Sequence, residues 1–182
     1  MLHFWDFFQE RVYGALMNIF ILRHAVAVER EDWHGDDSLR PLTPEGEQQQ
    51  RKVSAAMKRM GLKFDLILSS PYERARRTAE IAAEELNQKK QLRFSDELKS
   101  EGNPKKLVRE ITAMARPVEN LLLVGHEPYL SEFISVLLTG KAKTEIDFKK
   151  SGLCRLKVER LKYDRCASLA WLLSPKQMEL MV

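Results

Sequence analysis

Cysteine is scarce: Cys154 and Cys166 are the only two in the chain. A fold stapled by several disulfides is thereby excluded. Both fall in consecutive predicted strands whose turn lies near Lys162 and Tyr163, and a hairpin there sets Cys154 opposite the neighbourhood of Trp171, out of register for a bond to Cys166. They read as two reduced, buried thiols of a cytoplasmic protein. Long apolar runs are also missing, since no stretch approaches the ~20 apolar residues that cross a membrane as a helix. Residues 1–16 lack the basic start and unbroken apolar core of a secretory signal. Nor is charge of one sign concentrated. The 30 Lys and Arg against 26 Asp and Glu leave a net +4, and the basic residues are spread over predicted helices and turns. That pattern argues against a nucleic-acid footprint and leaves a mild preference for anionic ligands.

What the chain does have is chemistry at the ends of strands. Over Met17 to Ala25 an apolar run, Ile19-Phe-Ile-Leu22, breaks off into Arg23 and His24. The run lacks helical spacing and is rich in β-branched and aromatic side chains, as expected of a strand covered on both faces of a parallel sheet. The arrangement recurs at Phe64 to Arg74 and at Asn120 to Pro128, where the apolar stretches end near Arg74 and His126. Ligands of open α/β sheets bind beyond the carboxyl ends of strands, so three such strands bring Arg23, His24, Arg74 and His126 to one rim. Two guanidinium forks and two imidazoles suit a phosphoryl group, because planar forks match its oxygens bidentately and offset its charge.

At 182 residues the chain fits one domain, taken here as residues 17–182, with residues 1–16 as an N-terminal extension. In that extension Trp5, Phe8, Val12 and Leu16 have the spacing of a short amphipathic helix, although Met17 is itself a plausible start of translation. A polar loop from Val26 to Arg40 leads into Thr43-Pro44, an N-cap followed by a first helical proline, and Val53, Ala56, Met57 and Met60 then form a helix face that Gly61 ends. Ser70-Pro-Tyr-Glu73 reads as a capping box, which sets Arg74 in the opening turn of the next helix. Gln91 to Phe94 reads as a short strand, Lys105 to Met114 as a helix, and Gly125-His-Glu-Pro as the start of another. Thr144 to Phe148, Gly152 to Glu159 and Ala167 to Leu173 read as closing strands, with Ser174-Pro175 as a stop. The alternation implies a three-layer α/β/α fold with a mainly parallel central sheet and an antiparallel edge.

Taken together, Arg23-His24-Ala25, Asp37-Ser-Leu-Arg40-Pro-Leu-Thr43-Pro-Glu-Gly46, Ser69-Ser-Pro71-Tyr-Glu-Arg74-Ala75 with Thr78-Ala-Glu80, and Val124-Gly-His126-Glu-Pro128 resemble the histidine phosphatase superfamily. The branch they are most similar to is that of the small phosphohistidine phosphatases of the SixA type, and the phosphoglycerate mutase-like fold comes with it. Ala25 stands where the superfamily's best-known motif has glycine, a replacement familiar in this branch. By this resemblance His24 is the nucleophile that becomes phosphorylated, Arg23 and Arg74 hold the phosphate, His126 completes the pocket, and Arg40 matches a further arginine beside the phosphate.

The resemblance implies a cytoplasmic phosphatase with no cofactor and no metal, acting on phosphohistidine in a protein of the histidine-containing phosphotransfer type. A small phosphorylated molecule as substrate and an inactive phosphate-binding module are the alternatives. No motif singles out a general acid among Glu101, Asp37 and Glu127; Glu101 is the candidate carried forward. A metal site drawn from His34, Asp36, Asp37 and His126 has no recognised ligand spacing. Arg76 and Arg77 read as solvent-facing helix charges.

Overall fold

The computed structural model of the protein describes residues 17–182, so the expected N-terminal helix lies outside the described residues. The sheet has six strands: β1 (Met17–Arg23), β2 (Leu66–Ser69), β3 (Leu92–Phe94), β4 (Asn120–Gly125), β5 (Leu153–Val158) and β6 (Ala167–Leu173), in the order β3-β2-β4-β1-β5-β6. Strands β3, β2, β4 and β1 run parallel, whereas β5 is antiparallel to both β1 and β6. Helices α1 (Pro44–Arg59) and α2 (Glu73–Glu85) cover one face, and α3 (Pro104–Thr112) and α4 (Tyr129–Thr139) cover the other.

Strand β1 shows why the sequence reads as it does. Ile19 and Ile21 pack with Leu107, Leu130 and Phe133 on the α3–α4 side, while Phe20 and Leu22 pack with Val53, Met57 and Ala79 on the α1–α2 side. With both faces buried over residues 19–22, no position of that run is free to be polar, and the usual alternation disappears. The parallel registers also line up the strand ends. Arg23 pairs with Gly125 and Ser69 with Val124, so the residues following β1, β2 and β4 emerge side by side.

Four local expectations change in the structure. Thr144 to Phe148 forms no strand and pairs with none of the six; within it the Phe148 N–H donates locally to the Ile146 carbonyl. The helix after β4 begins at Tyr129 and not at Gly125, since a residue before proline avoids the helical region and Glu127 precedes Pro128. Ser70 does not cap α2. The N-cap is Tyr72, without a side-chain hydrogen bond, and the Ser70 hydroxyl is held by His126 instead. Ser174-Pro175 is a start and not a stop: Ser174 and Gln177 form a capping box that opens a short fifth helix, α5 (Pro175–Glu179).

The segment between β1 and α1 folds back on itself. Ala27 bridges Leu42, Val28 N–H donates to the Pro41 carbonyl, and Thr43 N–H donates to the Val26 carbonyl. Helix α1 starts hard against this segment, with Thr43 capping through its Oγ1 to the Gly46 N–H at 3.0 Å. A Cβ on Gly46 would stand 2.0 Å from the Val26 carbonyl oxygen, so the backbone must separate to admit it. Gly46→Ala is expected to destabilise the fold by about 1–3 kcal/mol or more in thermal or urea denaturation. Gly61→Ala, with open space around it but φ +71 after α1, is expected to cost only about 1 kcal/mol.

Candidate active site

The rim formed by β1, β2 and β4 gathers the chain's most unusual side chains. His24, Arg74 and His126 are 7%, 4% and 1% exposed, so an imidazole pair and a guanidinium share one buried place. The two imidazole rings lie 5.2 Å apart, Tyr72 is 5.4 Å from His126, and the Arg74 guanidinium sits 5.3 Å over the Tyr72 ring.

Each group is aimed by its neighbours. The His24 Nδ1–H donates to the Ala25 carbonyl at 2.8 Å, which fixes the tautomer, since a carbonyl only accepts; Nε2 is left with its lone pair. The following amide is pinned to α2: Ala25 N–H donates to Thr78 Oγ1, and the Thr78 hydroxyl donates to the Arg74 carbonyl. The turn before β5 grips the same strand end, where Ser151 N–H reaches the Arg23 and His24 carbonyls from a left-handed backbone at φ 58. Arg23 donates through Nη1 to the Phe148 carbonyl at 2.6 Å, and Arg74 through Nη1 to the Asp37 carbonyl at 2.8 Å. His126 Nε2 lies 2.8 Å from Ser70 Oγ.

These supports leave particular atoms unused. Among the described residues, Arg23 Nε, Arg74 Nε, His126 Nδ1 and Ser151 Oγ are buried without a hydrogen-bond partner, together with only Gln50 Oε1 and Tyr129 OH elsewhere. Buried polar atoms in native proteins are nearly always paired, so a group of them at one rim marks a place where a ligand completes the bonding. Two of the four, Arg23 Nε and Arg74 Nε, are guanidinium N–H donors, and His126 Nδ1 is a third when Ser70 donates to Nε2, a set suited to an anion.

Burial dominates the electrostatics. It pulls the His24 pKa down to about 3, against the Ala25 carbonyl and with help from Arg74, Arg23 and Lys150. It pulls His126 down to about 2, reinforced by His24 and Arg74. Both rings are therefore neutral at pH 7. Burial also lowers Arg23 and Arg74, each partly offset by nearby carboxylates, but guanidinium remains charged in proteins.

The remaining residues singled out by sequence lie at the edge of this centre. Arg40 is mostly buried but occupied: its Nε donates to Asp37 and its Nη1 to the Val28 carbonyl. Glu101 accepts a 2.6 Å hydrogen bond from the Tyr72 hydroxyl. Glu127 accepts from Ser131 N–H, and burial raises its pKa despite the charge of Arg23. Asp36 caps the Ser38 N–H on the surface, and no group of three or more His, Cys, Asp or Glu among the described residues is arranged to hold a metal. Arg76 and Arg77 pair with Glu80 and Glu47 along the helices. Sequence reasoning missed Ser70, Tyr72 and Ser151. Tyr72, an aromatic two residues before Arg74, carried a faint signal; Ser151 carried none.

Neutral imidazoles and buried arginines around unpaired donors, at the carboxyl ends of parallel strands, form an arrangement chemically suited to an anion such as a phosphoryl group. The family model of the histidine phosphatase superfamily (branch 1) matches residues 19–101. An uncharacterized protein of Picosynechococcus sp. is 35% identical over 164 residues, covering 88% of this chain and 98% of its own. Among solved structures, the protein histidine phosphatase SixA complexed with tungstate superposes with a TM-score of 0.75 at 25% identity, over 88% of this chain and 98% of that one. Two more distant structures share the fold. A phosphoglycerate mutase from Bacillus anthracis has a TM-score of 0.67 at 12% identity, over 94% and 99% of the two chains. A mutant phosphoserine phosphatase from Entamoeba histolytica, in complex with phosphoserine, has 0.65 at 17%, over 88% and 98%. The chain belongs to the histidine phosphatase superfamily. That membership supports phosphatase activity.

The depressed imidazoles carry a stability signature. Below pH 6.5 the unfolded chain takes up protons on His24 and His126 while the folded one does not, down to about pH 3 for His24 and about pH 2 for His126. Their effect is absent above pH 6.5 and grows as pH falls. Thermal melting of His126→Asn is expected to lose less stability than wild type between pH 7 and pH 4.5.

Proposed function

We propose that this chain is a metal-independent phosphatase that works through a phosphoryl group carried on His24 Nε2, with phosphohistidine in a protein as its substrate. The observation that carries this reading is the cluster of buried, unpartnered nitrogens Arg23 Nε, Arg74 Nε and His126 Nδ1 around a neutral His24. In the first step the Nε2 lone pair attacks phosphorus and the bond from phosphorus to the substrate nitrogen breaks, that imidazole taking up a proton from solvent as it leaves. In the second, water attacks phospho-His24 and gives up a proton to solvent, inorganic phosphate departs and Nε2 regains its lone pair.

The cradle supplies what a metal ion otherwise would. Arg23 and Arg74 offset the charge on the equatorial oxygens, and His126 donates a hydrogen bond without adding charge. Arg40 adds positive charge beside them. We assign Glu101, which accepts from the Tyr72 hydroxyl while the Tyr72 ring lies 5.4 Å from that of His126, to proton relay toward a leaving group that needs one. Imidazole needs less help than an alkoxide, which favours a nitrogen-linked substrate.

Support for a protein substrate comes from two sides. The 25% identical SixA is a protein histidine phosphatase. In this chain the segment from Val26 to Thr43 is bridged onto itself and carries only the short 3-10 turn Asp37–Leu39, which suits approach by a partner surface.

The test is turnover of a phosphohistidine protein, phosphoramidate and a panel of phosphomonoesters by wild type and by His24→Ala. Preferred cleavage of the phosphorus–nitrogen bond is expected, with loss of at least about a thousandfold in His24→Ala and about 10²–10³ in Arg74→Ala. Preferred cleavage of a sugar or nucleotide ester contradicts the substrate, and full activity of His24→Ala contradicts the mechanism.

A further inference from the structure

One carboxylate is shared by three guanidinium groups at the edge of the site. Asp37 Oδ1 meets Arg30 Nη1 at 2.7 Å and Arg40 Nε at 2.9 Å, and Oδ2 meets Arg74 Nη2 at 3.1 Å. Its backbone carbonyl accepts from Arg74 Nη1 at 2.8 Å. Asp37 itself is held in place, since it opens a 3-10 turn over Asp37–Leu39 that the Asp36 side chain caps at Ser38 N–H.

Both terminal nitrogens of Arg74 are thus held by one residue, through its main chain and its side chain. A guanidinium is planar, so two fixed nitrogens fix the third, and the direction of the unpartnered Arg74 Nε follows from Asp37. Arg40, only 14% exposed at its side chain, is tied to the same carboxylate and is turned beside Arg74 despite their like charge.

We infer that Asp37 is a positioning residue that orients Arg74 and Arg40 as one preset cradle for the transferring phosphoryl group, and that it takes no part in proton transfer; this rests on the phosphatase reading above. Burial opposes its ionisation, but the Arg40 hydrogen bond and the charges of Arg74, Arg40 and Arg30 outweigh that and keep its carboxyl below the usual carboxylate range. A carboxyl so held is a poor proton donor near neutrality. What it gives the site is geometry: charge-assisted bonds that set the cradle before the substrate arrives, so that little reorganisation is left for the transition state.

The experiment compares Asp37→Asn and Asp37→Glu with wild type in three readouts: orthovanadate binding by calorimetry, kcat and KM on phosphoramidate and an alkyl phosphate, and circular dichroism with thermal melting. Both variants are expected to bind vanadate about tenfold more weakly and to lose kcat/KM about 10–100-fold, the range set by losing a charged hydrogen bond. The loss should be equal for the two substrates. In an Arg74→Lys background, Asp37→Asn should lose less kcat/KM than it does in wild type, because the share it exerts through Arg74 is already gone while Arg40 still depends on it. If Asp37→Asn does not fold, Asp37→Glu, which keeps the charge and shifts its position, carries the same expectation.

Tighter vanadate binding by Asp37→Asn, or wild-type behaviour of Asp37→Glu, overturns the proposal, because Asp37 would then act only as a negative charge. A loss confined to the alkyl phosphate also overturns it, by making Asp37 the proton donor. A wild type that binds no vanadate refutes the phosphate site itself. Wild type and Asp37→Asn binding vanadate equally well removes only the positioning role.

Discussion

The structure depends on a set of buried nitrogens that the fold does not satisfy. A buried donor without a partner costs about 1–3 kcal/mol, and Arg23 Nε, Arg74 Nε and His126 Nδ1 all stand at one rim. No local feature compensates for this; the stability of the double-faced sheet and its two apolar layers bears it. On the proposed reading an arriving oxyanion would supply the missing partners, as a preorganised site does when it lowers the free energy of a charged transition state.

Everything near the rim serves to hold those atoms still. The Ala25 carbonyl accepts from the Nδ1–H of His24, Ser70 holds His126, Phe148 holds Arg23 and Asp37 holds Arg74. Ser151 accepts an uncommon backbone conformation to grip the end of β1. Burial then decides protonation: two imidazoles are kept neutral beside two guanidiniums, the state the proposed nucleophile and hydrogen-bond donor require, while the positive charge stays on the arginines.

Much of this was legible in the sequence, for a physical reason. A strand covered on both faces leaves no room for alternation, so Ile19 to Leu22 stands out as an unbroken apolar run, and the abrupt change to Arg23-His24 marks where the sheet ends. The same logic exposed His126 and, through the helix start after β2, Arg74. What could not be read locally depends on long-range contacts. Thr144 to Phe148 has strand character but joins no edge of the sheet. Ser70 fits a capping box by pattern, yet its hydroxyl is held by His126, 56 residues away. Asp37 was visible as a neighbour of Arg40, three residues on, but its hold on Arg74 spans 37 residues and carries no local signal. Ser174-Pro175 is different: its capping box with Gln177 was in plain view, and the proline was read as an end where it is a first helical residue.

The most direct test of the account asks where the phosphoryl group rests. Wild-type enzyme incubated with phosphoramidate and quenched at high pH is expected to carry an acid-labile phosphoryl group on His24, and phosphorus NMR should place it on Nε2, because Nδ1 is committed to the Ala25 carbonyl. A label on Nδ1, on any other residue, or none under turnover conditions would contradict it.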